Sequence, residues 1–215
     1  MLLQRKKGPP RAKTTASREP ARSGARPDRW LVVGLGNPGE RYARNRHNAG
    51  AMAIDELASR VGGSLKRHKS GSLAAEGKLS GHPVVLARPA SFMNDSGRPV
   101  GALLRFYKSP AERLIVVHDE LDIPFGRIRV KAGGGTAGHN GLSSLLAHIG
   151  TPHFVRVRIG ISRPRGGRDA VGYVLADFSP AERKELPDIL GRAADAVERI
   201  IEGGPETAMN EFNPD

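Results

Sequence analysis

The sequence predicts a single α/β domain, and three observations support this prediction. Short apolar runs typical of strands alternate with amphipathic segments typical of helices from Trp30 onward. Polar breaks rich in Gly, Pro, Asn and Ser separate these segments, as expected of turns. A chain of 215 residues is long enough to bury one compact core and too short for two independent enzymatic domains. We therefore expect one domain that spans residues 29–215.

The first half of this domain is predicted to contain three strands and two helices. A strand at 31–33 meets a glycine-rich turn and then an amphipathic helix, whose apolar positions are Ile54, Leu57, Ala58 and Val61. Strands at 73–79 and 83–88 flank a Ser-Gly-His turn and predict a hairpin. A second helix has apolar positions at Val100, Leu103, Leu104 and Tyr107, with Asn94, Asp95 and Ser96 as candidate caps.

The second half continues the alternation. Strands are predicted at 114–118 and 127–131, and a third helix has apolar positions at Leu142, Leu145, Leu146 and Ile149. A strand at 154–161 alternates valine and isoleucine with arginine, and a polar, glycine-containing loop at 162–170 follows. The last helix opens at Ser179 with a capping box completed by Glu182.

Residues 1–28 are expected to form a disordered basic extension. They hold eight Lys or Arg against two acidic residues, and so carry half of the formal net charge of +12. Their composition is rich in Pro, Arg and Ser and cannot bury enough apolar surface to offset the entropy of ordering. The extension could attract RNA or address an organelle, or it could reflect an upstream start without a role. The remaining chain is still basic, which suits an anionic partner.

Composition also restricts the chemistry. The sequence contains no cysteine, which excludes disulfides, thiolate nucleophiles and cysteine-based zinc sites. No segment approaches the roughly 18 apolar residues of a membrane-spanning helix, and the first residues lack the apolar stretch of a secretory signal. The acidic segment 118–122 (HDELD) could hold a metal, but no partner motif such as HExxH supports it. We expect a cytoplasmic protein without metal, cofactor or membrane partner.

Two glycine motifs suggest nucleotide binding, but each lacks residues that such a site requires. The segment 34–39 (GLGNPG) has the dinucleotide-binding spacing, but the acidic residues about 20 positions on, Asp55 and Glu56, lie inside the first predicted helix. The segment 133–140 (GGGTAGHN) has glycines at P-loop spacing. It ends in His-Asn where a P-loop requires a lysine and a hydroxyl residue.

Polar residues collect where predicted strands and helices meet. They are Asn37, His47, Asn48, Asn94, Asp119, His139 and Asn140. In open α/β sheets these junctions form the ligand crevice, so we expect the side chains to converge on one site.

Four segments carry this polar set: 34–50 (GLGNPGERYARNRHNAG), 91–97 (SFMNDSG), 118–126 (HDELDIPFG) and 133–144 (GGGTAGHNGLSS). In this order and at these separations they closely resemble bacterial-type peptidyl-tRNA hydrolases, from about Trp30 to the last helix. Each segment alone would be weak support. Two departures from the family pattern are Ser91, where Thr is usual, and Thr136 in the glycine loop, and neither stands at an implied catalytic position.

The resemblance implies a monomer with a mixed, mostly parallel central sheet flanked by helices in three α/β/α layers. It implies hydrolysis of the ester bond between a peptide and tRNA, which frees the tRNA for reuse. By matching motif positions, His47 is the catalytic base and Asp119 the carboxylate that orients it. Asn37 would distinguish a blocked amino group from the free one of an aminoacyl-tRNA.

Further residues are implied to contact the substrate. They are Tyr42, Phe92, Asn94 and Asn140 near the reacting ester, and Lys131 and Arg158 as a clamp for the 5′-phosphate of the acceptor stem. We also expect His139 to line the site and His118 to be structural.

The chemistry is reasonable without the resemblance. An ester to a ribose hydroxyl is activated, so a water polarised by one imidazole is sufficient. Histidine suits this role because its ordinary pKa lies near neutrality, and an acidic neighbour would fix its tautomer. Asparagine side chains can position a carbonyl, a water or a developing oxyanion without titrating.

Each candidate also has a structural alternative. His47 could be bonded to backbone at a helix start, Asn94 and Asn140 could be N-caps, and Tyr42 and Phe92 could be core aromatics.

The strongest alternative function is an inactive RNA-binding relative that acts in RNA processing. In either case Arg156 and Arg158 could simply form the solvated face of a sheet.

Overall fold

A computed structural model describes residues 29–164, 166 and 169–214. The predicted disordered extension at 1–28 lies outside these residues, as does part of the predicted loop at 162–170. The described strands are β1 (Trp30–Gly34), β2 (Lys66–His68), β3 (Ser72–Leu79), β4 (His82–Pro89), β5 (Leu114–Glu120), β6 (Ile128–Ala132) and β7 (Val155–Gly160). The described helices are α1 (Ala49–Arg60), α2 (Gly97–Tyr107), α3 (Asn140–Ile149), α4 (Ala170–Val174) and α5 (Pro180–Phe212).

The strands form one mixed sheet in the order β2-β3-β4-β1-β5-β7-β6. Its four central strands, β4, β1, β5 and β7, run parallel. Antiparallel pairs complete both sides, with β2 and β3 beyond β4 and β6 beyond β7. Parallel strands need cover on both faces, which explains their central place and the runs of valine, leucine and isoleucine in β1, β4 and β5.

Helices cover both faces and complete the three layers that were predicted. Helices α1 and α5 pack on one face, where Val32, Ile54 and Val197 share a core. Helices α2 and α3 pack on the other, where Val33 and Leu145 belong to a second core. Alternate residues of β1 thus point into different cores, as the period of two requires.

The local predictions are confirmed in most places. The 73–79 and 83–88 strands form an antiparallel hairpin, and Ser179 and Glu182 form the capping box of α5. The strand β2 was not predicted, because Lys66–His68 is a short polar edge strand. Helix α4 was also not predicted, since it has only five residues and begins at the end of the expected loop.

The capping roles offered for Asn94 and Asn140 are wrong. The N-cap position of α2 is Ser96, which makes no side-chain cap bond, and the Gly97 N–H instead donates to Ser144 Oγ at 2.9 Å. His139 is the N-cap of α3, and Asn140 is the first helical residue.

Within the described part of the chain, no helix has the length and apolar character needed to cross a membrane.

Candidate active site

The candidate site lies at the carboxyl ends of β1 and β5, between the amino ends of α1 and α3. Asn37 follows β1, His47 lies in the 3-10 turn before α1, Asp119 is the penultimate residue of β5, and His139 caps α3. Because β1 and β5 are parallel neighbours, their carboxyl ends meet at one edge of the sheet.

Close backbone packing sets the position of His47. A Cβ added to Gly50 would lie 2.2 Å from the carbonyl oxygen of Val117, so α1 approaches β5 as only glycine allows. Arg46 fixes the other side of the turn. Its guanidinium contacts Glu182 Oε2 at 2.7 Å and lies 4.3 Å from the ring centre of Tyr173. The turn is therefore held between β5 and the α4–α5 segment.

His47 and Asp119 are buried and hydrogen-bonded to each other. His47 Nδ1 lies 2.9 Å from Asp119 Oδ2 and 3.0 Å from Oδ1. An ionised carboxylate only accepts hydrogen bonds, so Nδ1 carries the proton. The unprotonated Nε2 on the other side of the ring is then available as a base.

His139 is a second donor to the same carboxylate. Its Nδ1 accepts from the backbone N–H groups of Gly141 at 3.1 Å and Leu142 at 3.4 Å. The ring proton must therefore lie on Nε2, which donates to Asp119 Oδ1 at 3.1 Å. The amino end of α3 thus fixes the tautomer of His139.

These contacts control the charge of Asp119. Burial raises the pKa of its carboxyl group, but the hydrogen bonds from His139 and His47 outweigh burial. The net effect holds the pKa of Asp119 well below its ordinary value, so the carboxylate is ionised wherever the protein is folded near neutral pH.

His118 supports the site from inside the core. Its Nδ1 donates to the backbone carbonyl oxygen of Asp119 at 2.7 Å, and its ring packs edge-on against His139 with centres 4.9 Å apart. Burial lowers the pKa of His118 to about 3. A neutral imidazole is therefore part of the folded structure.

Asn37 is fixed by three hydrogen bonds. Its N–H donates to Asn48 Oδ1 at 2.9 Å, and Asn48 Nδ2 donates to the Asn37 carbonyl oxygen at 2.9 Å. The side-chain Oδ1 of Asn37 accepts from the Met93 N–H at 2.8 Å. This leaves the Asn37 Nδ2 group as a rigid donor. The bridging role of Asn48 was not predicted, although the residue stands next to His47 in the motif.

The remaining candidate substrate contacts surround this centre in two groups. Tyr42 and Phe92 form an edge-to-face pair with ring centres 6.2 Å apart, and Phe92 is 56% exposed and is therefore not a core aromatic. Asn140 is exposed and lines a cavity of about 120 Å³ together with His47 and His139. Asn94 is exposed on the turn held by Asn37, and lines a separate depression beside Phe92.

Lys131 and Arg158 lie on one face of β6 and β7, and Arg158 pairs with His118 in the register of β5 and β7. Arg129 pairs with Arg158 and Lys131 with Arg156 in the strand register, so Lys131 and Arg158 are diagonal neighbours, about 7–8 Å apart at their backbones. Lys131 is exposed, and within the described residues the buried Nε atom of Arg158 has no hydrogen-bond partner.

The alternative in which Arg156 lies on the solvated face of the sheet is wrong. Arg156 is only 2% exposed, and its guanidinium donates to the carbonyl oxygens of Gly134 and Gly135. The glycine loop therefore folds over this arginine.

The nitrogen and oxygen atoms of His47, Asp119 and His139 lie within 4.8 Å of one another, which raises the question of a metal site. The His139 nitrogen that faces the cluster carries a proton and has no lone pair for a metal. That leaves two ligands, fewer than the three protein ligands usual in a catalytic zinc site. The geometry fits a hydrogen-bond network better than a metal centre.

Comparisons with known proteins point to one family. The family model for peptidyl-tRNA hydrolase matches residues 31–215. A peptidyl-tRNA hydrolase of Frankia casuarinae is 56% identical over 184 residues, which cover 86% of this chain and 93% of that protein. One of Mycolicibacterium smegmatis is 54% identical and covers 84% and 95%, respectively.

Among solved structures, peptidyl-tRNA hydrolase of Acinetobacter baumannii superposes with a TM-score of 0.81 at 38% identity, over 88% of this chain and 97% of that one. These matches give no support to the alternative of an inactive RNA-binding relative. The chain belongs to the peptidyl-tRNA hydrolase family.

Proposed function

We propose that this protein hydrolyses the ester bond between a peptide and tRNA and releases free tRNA for reuse. The observation that carries the proposal is the buried contact of His47 Nδ1 with Asp119 at 2.9 Å, which leaves Nε2 as the base. The family to which the chain belongs supports the choice of substrate.

In the proposed reaction, His47 Nε2 takes a proton from a water whose oxygen attacks the ester carbonyl carbon. Asp119 stabilises the imidazolium that forms. The bond between the carbonyl carbon and the ribose oxygen then breaks, and the imidazolium returns the proton to that oxygen. No covalent bond between the substrate and the protein forms, because water is the nucleophile.

The amides position the reactants. Asn37 Nδ2 is a fixed donor and is our candidate for reading the blocked amino group of the last residue of the peptide, by donating to the carbonyl oxygen of the group that acylates it. Asn140 would hold the ester carbonyl or the attacking water beside His47, and Asn94 would contact the substrate in the depression beside Phe92. Tyr42 and Phe92 offer an aromatic surface for the terminal base or ribose.

We further propose that Lys131 and Arg158 bind the 5′-phosphate of the acceptor stem. Both are cationic and share one face of the sheet. The resemblance to the family also favours a monomer that acts in the cytoplasm, where translation supplies the substrate. Light scattering of the purified protein would test whether it is a monomer.

A single-turnover assay tests the main proposal. Wild-type protein should release peptide from a peptidyl-tRNA and leave a free aminoacyl-tRNA of the same tRNA intact. His47→Ala should lower the rate about 10²- to 10⁴-fold, because the general base is lost, while tRNA affinity stays nearly the same. His153→Ala removes an exposed histidine and should match the wild type. A decrease below about threefold for His47→Ala would exclude it as the base.

A further inference from the structure

A buried cation lies under the glycine loop, residues 133–138, and has no part in the proposed chemical step. Arg156 of β7 is 2% exposed, and its two terminal nitrogens donate to the carbonyl oxygens of Gly134 and Gly135. Burial lowers the pKa of Arg156, and the charge of Arg158 lowers it further. A guanidinium is costly to bury unless acceptors meet it, so the loop carbonyls stabilise Arg156 and Arg156 in turn holds the loop.

The glycine loop has few other attachments. Its residues are half-buried or exposed, and it contains no helix or strand. At its start the Gly133 N–H donates to the carbonyl oxygen of Phe154 at 3.0 Å, and near its end the Thr136 carbonyl accepts from the His139 N–H at 2.9 Å. Between these two points, the hydrogen bonds that tie the loop to other described residues are those of Arg156.

The loop contacts both parts of the proposed site. A Cβ added to Gly134 would lie 2.7 Å from Cε of Lys131, so the lysine side chain lies against this glycine. Farther along the loop, Ala137 and Gly138 line the cavity of about 120 Å³ that His47 also lines. A displacement of the loop would therefore move both the proposed phosphate ligand and a wall of the cavity.

We infer that Arg156 is a positioning residue, which holds the glycine loop so that Lys131 and the wall of the cavity keep the places that binding and hydrolysis require. The inference rests on the proposed function, in which Arg156 touches no reacting atom. A guanidinium suits this role because its terminal nitrogens can donate to two consecutive carbonyl oxygens at once. A lysine at this position would keep the charge but offer a single nitrogen.

The first test uses Arg156→Lys, which separates the geometry of the side chain from its charge. Single-turnover hydrolysis of a peptidyl-tRNA at saturating protein should slow at least about tenfold, because a displacement of about 1 Å in a site is enough for such a loss. In fluorescence anisotropy, the ratio of affinities for tRNA with and without its 5′-phosphate should fall at least about threefold, the size of one exposed charged contact. Arg183→Lys, on the exposed surface of α5, should match the wild type in both measurements.

A second variant leaves Arg156 intact. Gly134→Ala places a methyl group against Lys131 and strains a residue whose φ is 103°, so it should displace the same loop and reproduce both losses. Gly81→Ala is the matched control, because Gly81 also has a positive φ, of 80°, and an added Cβ there meets nothing within 4 Å. It lies in the turn between β3 and β4 and should keep both wild-type values.

Urea unfolding first establishes that each variant is folded under the assay conditions, since a loss of stability alone changes neither measurement in folded protein. If folded Arg156→Lys and Gly134→Ala kept both wild-type values, the inference alone would be overturned. A loss of only the rate or only the phosphate preference would also overturn it, because one loop is inferred to position both parts of the site. If the wild type released no peptide from peptidyl-tRNA, the proposed function itself would be overturned.

Discussion

His139 donates through Nε2 to Asp119 Oδ1 at 3.1 Å, and this carboxylate also accepts from His47. The two imidazole rings lie with centres 4.8 Å apart. Asp119 is therefore the shared acceptor of two histidines, one presented by the turn before α1 and one by the start of α3. His47 and His139 lie 72 and 20 residues from Asp119 in the chain, respectively. The position of the proposed base therefore depends on contacts between elements that are distant in sequence.

Asp119→Asn should nearly abolish activity without unfolding the protein. The amide has the size of the carboxylate, but it provides no negative charge for the imidazolium and can present a donor to His47 Nδ1, which would favour the wrong tautomer. We expect a single-turnover rate about 10²- to 10⁴-fold lower, measured with saturating protein. The exposed Asp188 on α5 offers a matched control, and Asp188→Asn should keep the wild-type rate. Full activity of Asp119→Asn would refute this role.

His139 has two functions that different substitutions separate. Asparagine is a good N-cap, so His139→Asn should keep the stability of α3 while losing the bond to Asp119. His139→Ala should lose both and lower the free energy of unfolding by about 0.5–2 kcal/mol. Urea unfolding and single-turnover rates of both variants would be compared. We expect both rates to decrease and the alanine variant to be less stable than the asparagine variant, which keeps the cap.

Much of the fold followed from local sequence patterns, whereas the contacts of the site did not. The hairpin and the capping box depend on neighbours in the chain, and both were predicted. The role of His139 as cap and donor depends on how α3 meets β5, which no local pattern encodes. Alternation predicted that Arg156 faces outward from its strand, but the glycine loop that covers it is a tertiary feature.

His118 should make the stability of the protein depend on pH. The unfolded chain protonates this imidazole near pH 6.5, whereas burial lowers its pKa to about 3 in the folded protein. The folded pKa is below the unfolded one, so the stability from neutral His118 is fully present above pH 6.5 and is lost as the pH falls toward 3.

His118→Asn should therefore flatten the decrease in the free energy of unfolding between pH 7.5 and 5, whatever its absolute stability. The pKa of Asp119 is also lowered, but from an ordinary value of 3.8. The stability that ionised Asp119 contributes is therefore lost only below the range from pH 7.5 to 5. Urea unfolding across the window gives the slope. His153→Asn, at an exposed position, should keep the wild-type slope. A slope for His118→Asn equal to that of wild type would contradict a buried neutral imidazole.

Lys131 and Arg158 should contribute to tRNA affinity through released counterions. Each phosphate contact that is lost should reduce the slope of log K against log salt by about 0.7–0.9. Lys131→Ala and Arg158→Ala should therefore weaken binding of tRNA at low salt and flatten its salt dependence, as measured by fluorescence anisotropy. Lys184→Ala removes an equal charge from the exposed surface of α5 and should leave the slope unchanged. A tRNA without its 5′-phosphate should bind wild type and both variants alike, and a persistent difference would place the contact elsewhere on the RNA.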